Sequence, residues 1–303
     1  MPNLERIEDV MWQLSQKQYL ADRSLATAIF LCLKLERPLF LEGEPGVGKT
    51  AVAQAMAQVL NVPLIRLQCY EGIDRESALY EWNYPKQLLA IRLYESSSEH
   101  SRALNQESLY QAEFLLKRPL FEALMPEGPA PVLLIDEIDR SDDEFEAFLL
   151  EILSEFQISI PELGTIRAQE KPFIVLTSNR TRDVHDALKR RCIYHWLDYP
   201  SFGRELEIVE LKVPGLDQQL RRDVVQLVQR LRQEPLDKKP GVAEALDWAH
   251  ALEALMTERL SPEVFADTLG VLLKDREDIN RVQEGNLIAQ MIKELESDDP
   301  TVS

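Results

Sequence analysis

A chain of 303 residues with 45% hydrophobic side chains is long enough for one large or two modest domains, each with a packed core. Its 34 basic against 52 acidic residues leave a formal charge of −18, which repels a phosphate backbone and weighs against nucleic acid as a partner. No run approaches the ~18 apolar residues of a membrane-spanning helix, so no membrane span is expected.

The first residues, Met1-Pro2-Asn3-Leu4-Glu5, lack the charged-then-apolar pattern of a secretory signal. The scattered Cys32, Cys69 and Cys192 read as buried free thiols in a reducing compartment, so a cytoplasmic location is expected. His100, His185, His195 and His250 are dispersed and show no metal-ligand spacing. Residues 4–18 predict an N-terminal helix. From about 20 to 200 apolar strands alternate with helical runs, the strands falling at 38–41, 63–67, 132–135, 173–177 and 192–197. That alternation predicts an α/β fold with a parallel sheet covered on both faces. Beyond Tyr199-Pro200-Ser201 the chain reads as helical, with a stripe Leu220, Val224, Leu227, Val228 and Leu231 at helical spacing. The expected domains are therefore 1–200, carrying the sheet, and 201–303, a small all-helical lid. The tail Glu296-Ser297-Asp298-Asp299-Pro300 is expected to fray.

Three strand ends carry chemistry. The first strand runs into Gly43-Glu44-Pro45-Gly46-Val47-Gly48-Lys49-Thr50-Ala51, a glycine loop opening a helix. Such a loop turns backbone N–H groups around a phosphate, and the helix N-terminus adds partial positive charge. Lys49 supplies a point charge for the β- and γ-phosphates, and Thr50 a hydroxyl for Mg²⁺. The strand Val132-Leu133-Leu134-Ile135 ends in Asp136-Glu137. Asp136 is suited to hold the metal beside Thr50, and Glu137 to polarise an attacking water as general base. Ser141-Asp142-Asp143 is better placed than these acids to cap the helix that follows. The strand 173–177 ends in Ser178-Asn179, where Asn179 can hydrogen-bond the γ-phosphate or the water.

Taken in this order, the three motifs resemble an AAA+ ATPase, so the expected fold is a P-loop AAA+ αβα core followed by a helical lid. The resemblance implies ATP and Mg²⁺ as ligands. A hairpin at 156–160 and 165–167, around Pro161-Glu162-Leu163-Gly164, resembles the clade of MoxR proteins and magnesium-chelatase ATPase subunits. The run Lys117-Arg118-Pro119-Leu120-Phe121-Glu122-Ala123-Leu124 resembles a MoxR segment. Tyr70-Glu71-Gly72 and Leu246-Asp247-Trp248 resemble the branch linked to carbon monoxide dehydrogenase maturation. The likeness spans roughly residues 20–260. It implies a chaperone-like ATPase that remodels a protein client, often a metalloenzyme. It further implies a homo-oligomeric, hexameric ring and a partner bearing a von Willebrand factor A domain. In this family an arginine before the last strand reaches the neighbouring subunit's nucleotide, and Arg191 matches that position, with Arg190 as the alternative. The chain departs from the family where a second sensor arginine opens a lid helix. In Lys238-Lys239-Pro240-Gly241-Val242-Ala243-Glu244-Ala245-Leu246, Glu244 stands in the arginine's place, and Lys238 or Lys239 offers charge nearby. Trp82 and Tyr84, within an insertion between Tyr70 and Leu116, either contact a substrate or partner or pack beneath their own loop. A motor on nucleic acid and a non-hydrolysing ATP-dependent scaffold are the competing functions. Charge counts against the first, and the intact Lys49, Asp136 and Glu137 against the second.

Overall fold

The structure, a computed structural model, describes residues 4–96, 111–161, 164–284 and 287–297. His100, Glu162 and Leu163 of the expected hairpin turn, and the tail from Asp298 to Pro300 lie outside the described residues. The chain divides into two compact units, Met1–Glu42 with Thr50–Trp196, and Gly43–Lys49 with Leu197–Ser303.

In the first unit, helices α1 (Ile7–Gln16) and α2 (Arg23–Leu35) precede strand β1 (Leu39–Glu42). Helix α3 (Lys49–Leu60) leads to β2 (Leu64–Gln68), α4 (Arg75–Ala78), β3 (Tyr80–Trp82) and α5 (Tyr84–Ser96). Then come β4 (Leu115–Lys117), α6 (Pro119–Leu124), β5 (Val132–Asp136) and α7 (Asp143–Glu155). The hairpin β6 (Gln157–Ile160) and β7 (Gly164–Arg167) is followed by β8 (Phe173–Ser178), α8 (Asp186–Lys189) and β9 (Ile193–Trp196).

Five strands form one parallel sheet in the order β2-β5-β8-β1-β9, flanked by helices. Strands β1 and β5 are unbroken apolar runs, and Leu39, Phe40, Leu41 and Val132 to Ile135 are fully buried. Such strands cannot face water on either side, which is why they take the centre of a parallel sheet. The register sets Leu39 beside both Val175 and Ile193, and Val132 beside Phe173. All strands run the same way, so Glu42, Asp136 and Ser178 end at one edge of the sheet, where ligands of open α/β folds bind. The expected strands are present with ends shifted by about one residue. Helix α1 is shorter than the expected 4–18 because Arg6 is its N-cap, its N–H donating to Asp9 Oδ2 at 2.9 Å. Asp142 caps α7 by accepting from Phe145 N–H at 2.8 Å, as its position suggested. The expected hairpin pairs Ile158 with Ile166.

A second antiparallel pair, β3 with β4, sets Trp82 opposite Leu115. It divides Trp82 from Tyr84. Trp82 is 8% exposed in the core, its ring 6.0 Å from Tyr80 edge-on, whereas Tyr84 is 58% exposed. Trp82 therefore packs beneath its loop, and Tyr84 alone stays available for contact. Trp82→Ala is expected to destabilise the fold by about 3–5 kcal/mol, and Tyr84→Ala by less than about 0.5 kcal/mol. Urea unfolding midpoints of the two variants check this, and equal midpoints would contradict it.

The second unit holds helices α9 (Phe202–Lys212), α10 (Gln218–Gln233), α11 (Val242–Ala254), α12 (Pro262–Leu272), α13 (Arg276–Glu284) and α14 (Leu287–Ser297). The α10 stripe is buried as its spacing predicts, every member at 1% exposure or less. Trp248 lies at the centre, its ring 5.5 Å from Phe265 and its indole N–H donating to Thr268 Oγ1 at 2.8 Å. Arg232 forks onto both oxygens of the fully buried Glu205 at 2.6 and 2.7 Å. Each charge neutralises the other, and removing either alone would strand a buried ion.

Candidate functional site

Asp136, at the end of β5, is 3% exposed and carries three partners. Thr50 Oγ1, from the second residue of α3, lies 3.2 Å from its Oδ1. Thr177 Oγ1, from β8, donates to the same oxygen at 2.5 Å. Arg66, from β2, donates to Oδ2 through Nη2 at 2.6 Å and Nε at 3.0 Å. A buried carboxylate needs such compensation, and the guanidinium supplies the charge.

Glu137, the next residue, has a left-handed backbone at φ 55° and ψ 52°. A non-glycine residue persists there only when its surroundings enforce it. Its N–H donates to Thr177 Oγ1 at 2.9 Å, which contributes to that hold. Its Oε2 accepts from Gln68 Nε2 at 3.1 Å and pairs with Arg140 Nε at 2.8 Å. Its Oε1 faces the Asn179 amide Nδ2 at 3.5 Å. Asp139, 2% exposed, accepts from the N–H groups of Asn179 at 3.2 Å and Thr181 at 2.8 Å, and so shapes the loop after β8. Thus Thr50, Asp136, Glu137 and Asn179 share one connected network. Arg66, Gln68, Thr177, Asp139 and Arg140, which hold these groups, are not marked by the motifs. A charge and an amide at the polar end of an otherwise apolar β2 were the available signal.

The glycine loop Gly43–Lys49 joins β1 to α3 and belongs to the second unit. Lys49 is 7% exposed, and its Nζ donates to the carbonyls of Gly43 and Glu44, both at 2.7 Å. Glu44, Pro45, Val47 and Gly48 complete the turn, and Ala51 follows Thr50 in α3. Gly46, at φ +76°, has its carbonyl bonded by Val242 N–H at 2.9 Å and Ala243 N–H at 3.3 Å. A Cβ added to Gly241 would meet Gly46 Cα at 2.7 Å, so the two backbones touch only because both residues are glycine. Glu244 does not imitate a sensor arginine. Its Oε2 accepts from Gly241 N–H at 2.9 Å and so caps α11. Lys238, considered as a substitute charge, lies 3.5 Å from Asp275 instead.

Arg190 and Arg191 close the short helix α8, and both are exposed. Among the described residues neither guanidinium makes an ion pair. Their carbonyls accept from the Arg37 side chain. The three cysteines are buried, and burial pushes each thiol up to about 12, beyond reach of ordinary thiol chemistry. Among the described residues no cluster of His, Cys, Asp and Glu could hold a metal by itself. Nor is any described helix long and apolar enough to cross a membrane.

The model of the AAA domain, dynein-related subfamily, matches residues 38–192, from β1 to the start of β9. The chain belongs to this AAA family. Membership carries nucleotide binding and ATP hydrolysis as general family properties, and ring assembly as the typical oligomeric form. An uncharacterised protein of Staphylococcus epidermidis is 25% identical over 213 residues, 68% of this chain and 72% of its own length. The gas vesicle ATPase GvpN of Haloferax mediterranei is 24% identical over 263 residues, 83% of this chain and 73% of its own. Among solved structures, a RuvB point mutant of Thermotoga maritima covers 97% of this chain and 85% of that one, at TM-score 0.49 and 17% identity.

Proposed function

We propose that this AAA protein is a Mg²⁺-dependent ATPase of the MoxR type that remodels or matures a protein partner. The observation that carries the reading is the Thr50 hydroxyl against the Asp136 carboxylate, directly after a glycine loop and at the carboxyl edge of a parallel sheet. A hydroxyl beside a carboxylate is the donor set of a Mg²⁺ site bound to nucleotide, so these residues fit the metal. Held by them, Mg²⁺ would neutralise charge on the phosphate oxygens. Lys49 and the backbone N–H groups between Gly43 and Ala51, Pro45 apart, bind the phosphates, Lys49 exchanging loop carbonyls for phosphate oxygens. Glu137 draws a proton from the attacking water, with Arg140 and Gln68 holding one oxygen so that the other faces Asn179. Asn179 orients the water or the terminal phosphate. Arg191, or Arg190 beside it, projects toward the nucleotide of the next subunit and stabilises charge on the transferring group.

A ring follows from that reading, since the arginine needs a neighbour's site, and the likeness to MoxR proteins favours six subunits in it. The protein client, often a metalloenzyme in such systems, and a von Willebrand factor A partner would receive the work of the ring. The buried thiols suit the reducing cytoplasm. Light scattering after size exclusion, paired with phosphate release, tests the proposal. Mg-ATP should convert the protein to a ring and be hydrolysed by it. Arg191→Ala should bind ATP and lose most turnover, by about 10³-fold on the scale of arginine fingers. A monomer that binds ATP without hydrolysing it would reject the ring, and full turnover in Arg191→Ala would reject that residue.

A further inference from the structure

The arginine pair owes its aim to a residue far away in the chain. Arg37 lies just before β1, and its Nε donates to the Arg191 carbonyl at 3.1 Å while its Nη2 donates to the Arg190 carbonyl. A planar guanidinium that captures two successive carbonyls fixes the peptide planes on either side of Arg191, and with them its Cα–Cβ direction, and holds one of the two planes that flank Arg190. Arg37 is itself anchored by its N–H to the Cys32 carbonyl at 3.2 Å, and next to it Pro38 accepts from Ile193 N–H at 2.7 Å. The other end of β1 holds the same turn. Glu42 is 4% exposed, its Oε1 lies 3.8 Å from Lys189 Nζ, and its Oε2 accepts from Tyr194 Oη at 2.8 Å. The turn carrying Arg190 and Arg191 is thus moored at both ends of the strand that feeds the glycine loop, while the two guanidinium groups point outward unpaired among the described residues.

We propose that Arg37 is a positioning residue that aims Arg190 and Arg191 at the neighbouring subunit's nucleotide. This rests on the reading of that pair as acting between subunits. Arg37 touches no element of the phosphate or carboxylate network, so its loss spares the subunit's own nucleotide site and impairs the site next door. Lysine in its place keeps a charged donor but not the rigid planar fork, and so restores the aim in part.

The test uses the full chain under conditions where the wild type assembles. In Arg37→Ala, kcat should fall by about 10²-fold, the scale of a group misplaced by about an ångström. KM and the affinity for a fluorescent ATP analogue should stay within about twofold, and Arg37→Lys should recover part of the rate. The decisive measurement mixes Arg37→Ala with excess Glu137→Gln. Glu137→Gln subunits hydrolyse slowly but present intact arginines, so once their own turnover, measured alone, is subtracted, turnover per Arg37→Ala subunit should rise, as it should for Arg191→Ala in the same mixture. Wild-type kcat in Arg37→Ala alongside a dead Arg191→Ala overturns the positioning role and leaves the arginine reading standing. Wild-type turnover in both Arg190→Ala and Arg191→Ala overturns the reading beneath it. A slow Arg37→Ala that stays slow on mixing places the defect inside its own subunit and also overturns the proposal. If Arg37→Ala does not fold, Arg37→Met, which keeps the unbranched stem and loses the side-chain N–H donors, goes through the same mixing test with the same criteria.

Discussion

Glu137→Gln is expected to bind Mg-ATP and to hydrolyse it about 10²–10⁴-fold more slowly than the wild type, the range of general-base catalysis. Glutamine keeps the shape of the side chain and loses its basicity. The left-handed backbone and the N–H bond to Thr177 are independent of that charge, so the turn should persist. The ion pair to Arg140 weakens, but Glu137 is 30% exposed, and pairs so exposed contribute at most about 1 kcal/mol. Stability and affinity should therefore hardly move while turnover collapses. Single-turnover phosphate release separates chemistry from product release. A chemical step within about twofold of wild type would remove Glu137 as the base.

Lys49→Ala is expected to act earlier, on binding. Lys49 is almost wholly buried, and its ammonium already holds two loop carbonyls. Exchanging those for phosphate oxygens creates charge-assisted bonds worth about 1.5–3 kcal/mol each. Losing two of them weakens nucleotide binding by about 3 kcal/mol or more, over about 10²-fold in Kd. Calorimetric titration with ATP checks this. The two variants should fail differently, since Glu137→Gln holds its nucleotide and Lys49→Ala does not. Wild-type affinity in Lys49→Ala would separate the lysine from phosphate recognition.

Much of the fold was legible because its central strands are unbroken apolar runs, and Val132-Leu133-Leu134-Ile135 has nowhere to go but the middle of a sheet. The β6–β7 hairpin was legible because its residues alternate. The β3–β4 pair was not, since a three-residue strand is too short to show a period, and its partner lies more than thirty residues away, as Trp82 opposite Leu115 shows. The motif residues themselves could be located in the chain, but not the groups that hold them. Gln68 reaches Glu137, and Arg66 reaches Asp136, only because β2 and β5 run parallel in a register that sets Gln68 beside Asp136. Glu244 shows the same limit. Read linearly, it marks a missing arginine, whereas in three dimensions it closes a helix end whose amides bond the carbonyl of Gly46.

The placement of β1 also bears on how the protein is made. It is an early strand, yet its partners β8 and β9 come late, Leu39 waiting for Val175 and Ile193. During synthesis Leu39, Phe40 and Leu41 leave the ribosome with no strand to pair with, an apolar segment open to misassociation until the chain has grown as far as Val175. Bound nucleotide cannot rescue this stage, because a ligand stabilises only a folded state able to bind it. Premature truncations ending before β8 should thus be insoluble whether or not ATP is supplied, whereas the finished chain gains resistance to unfolding from it.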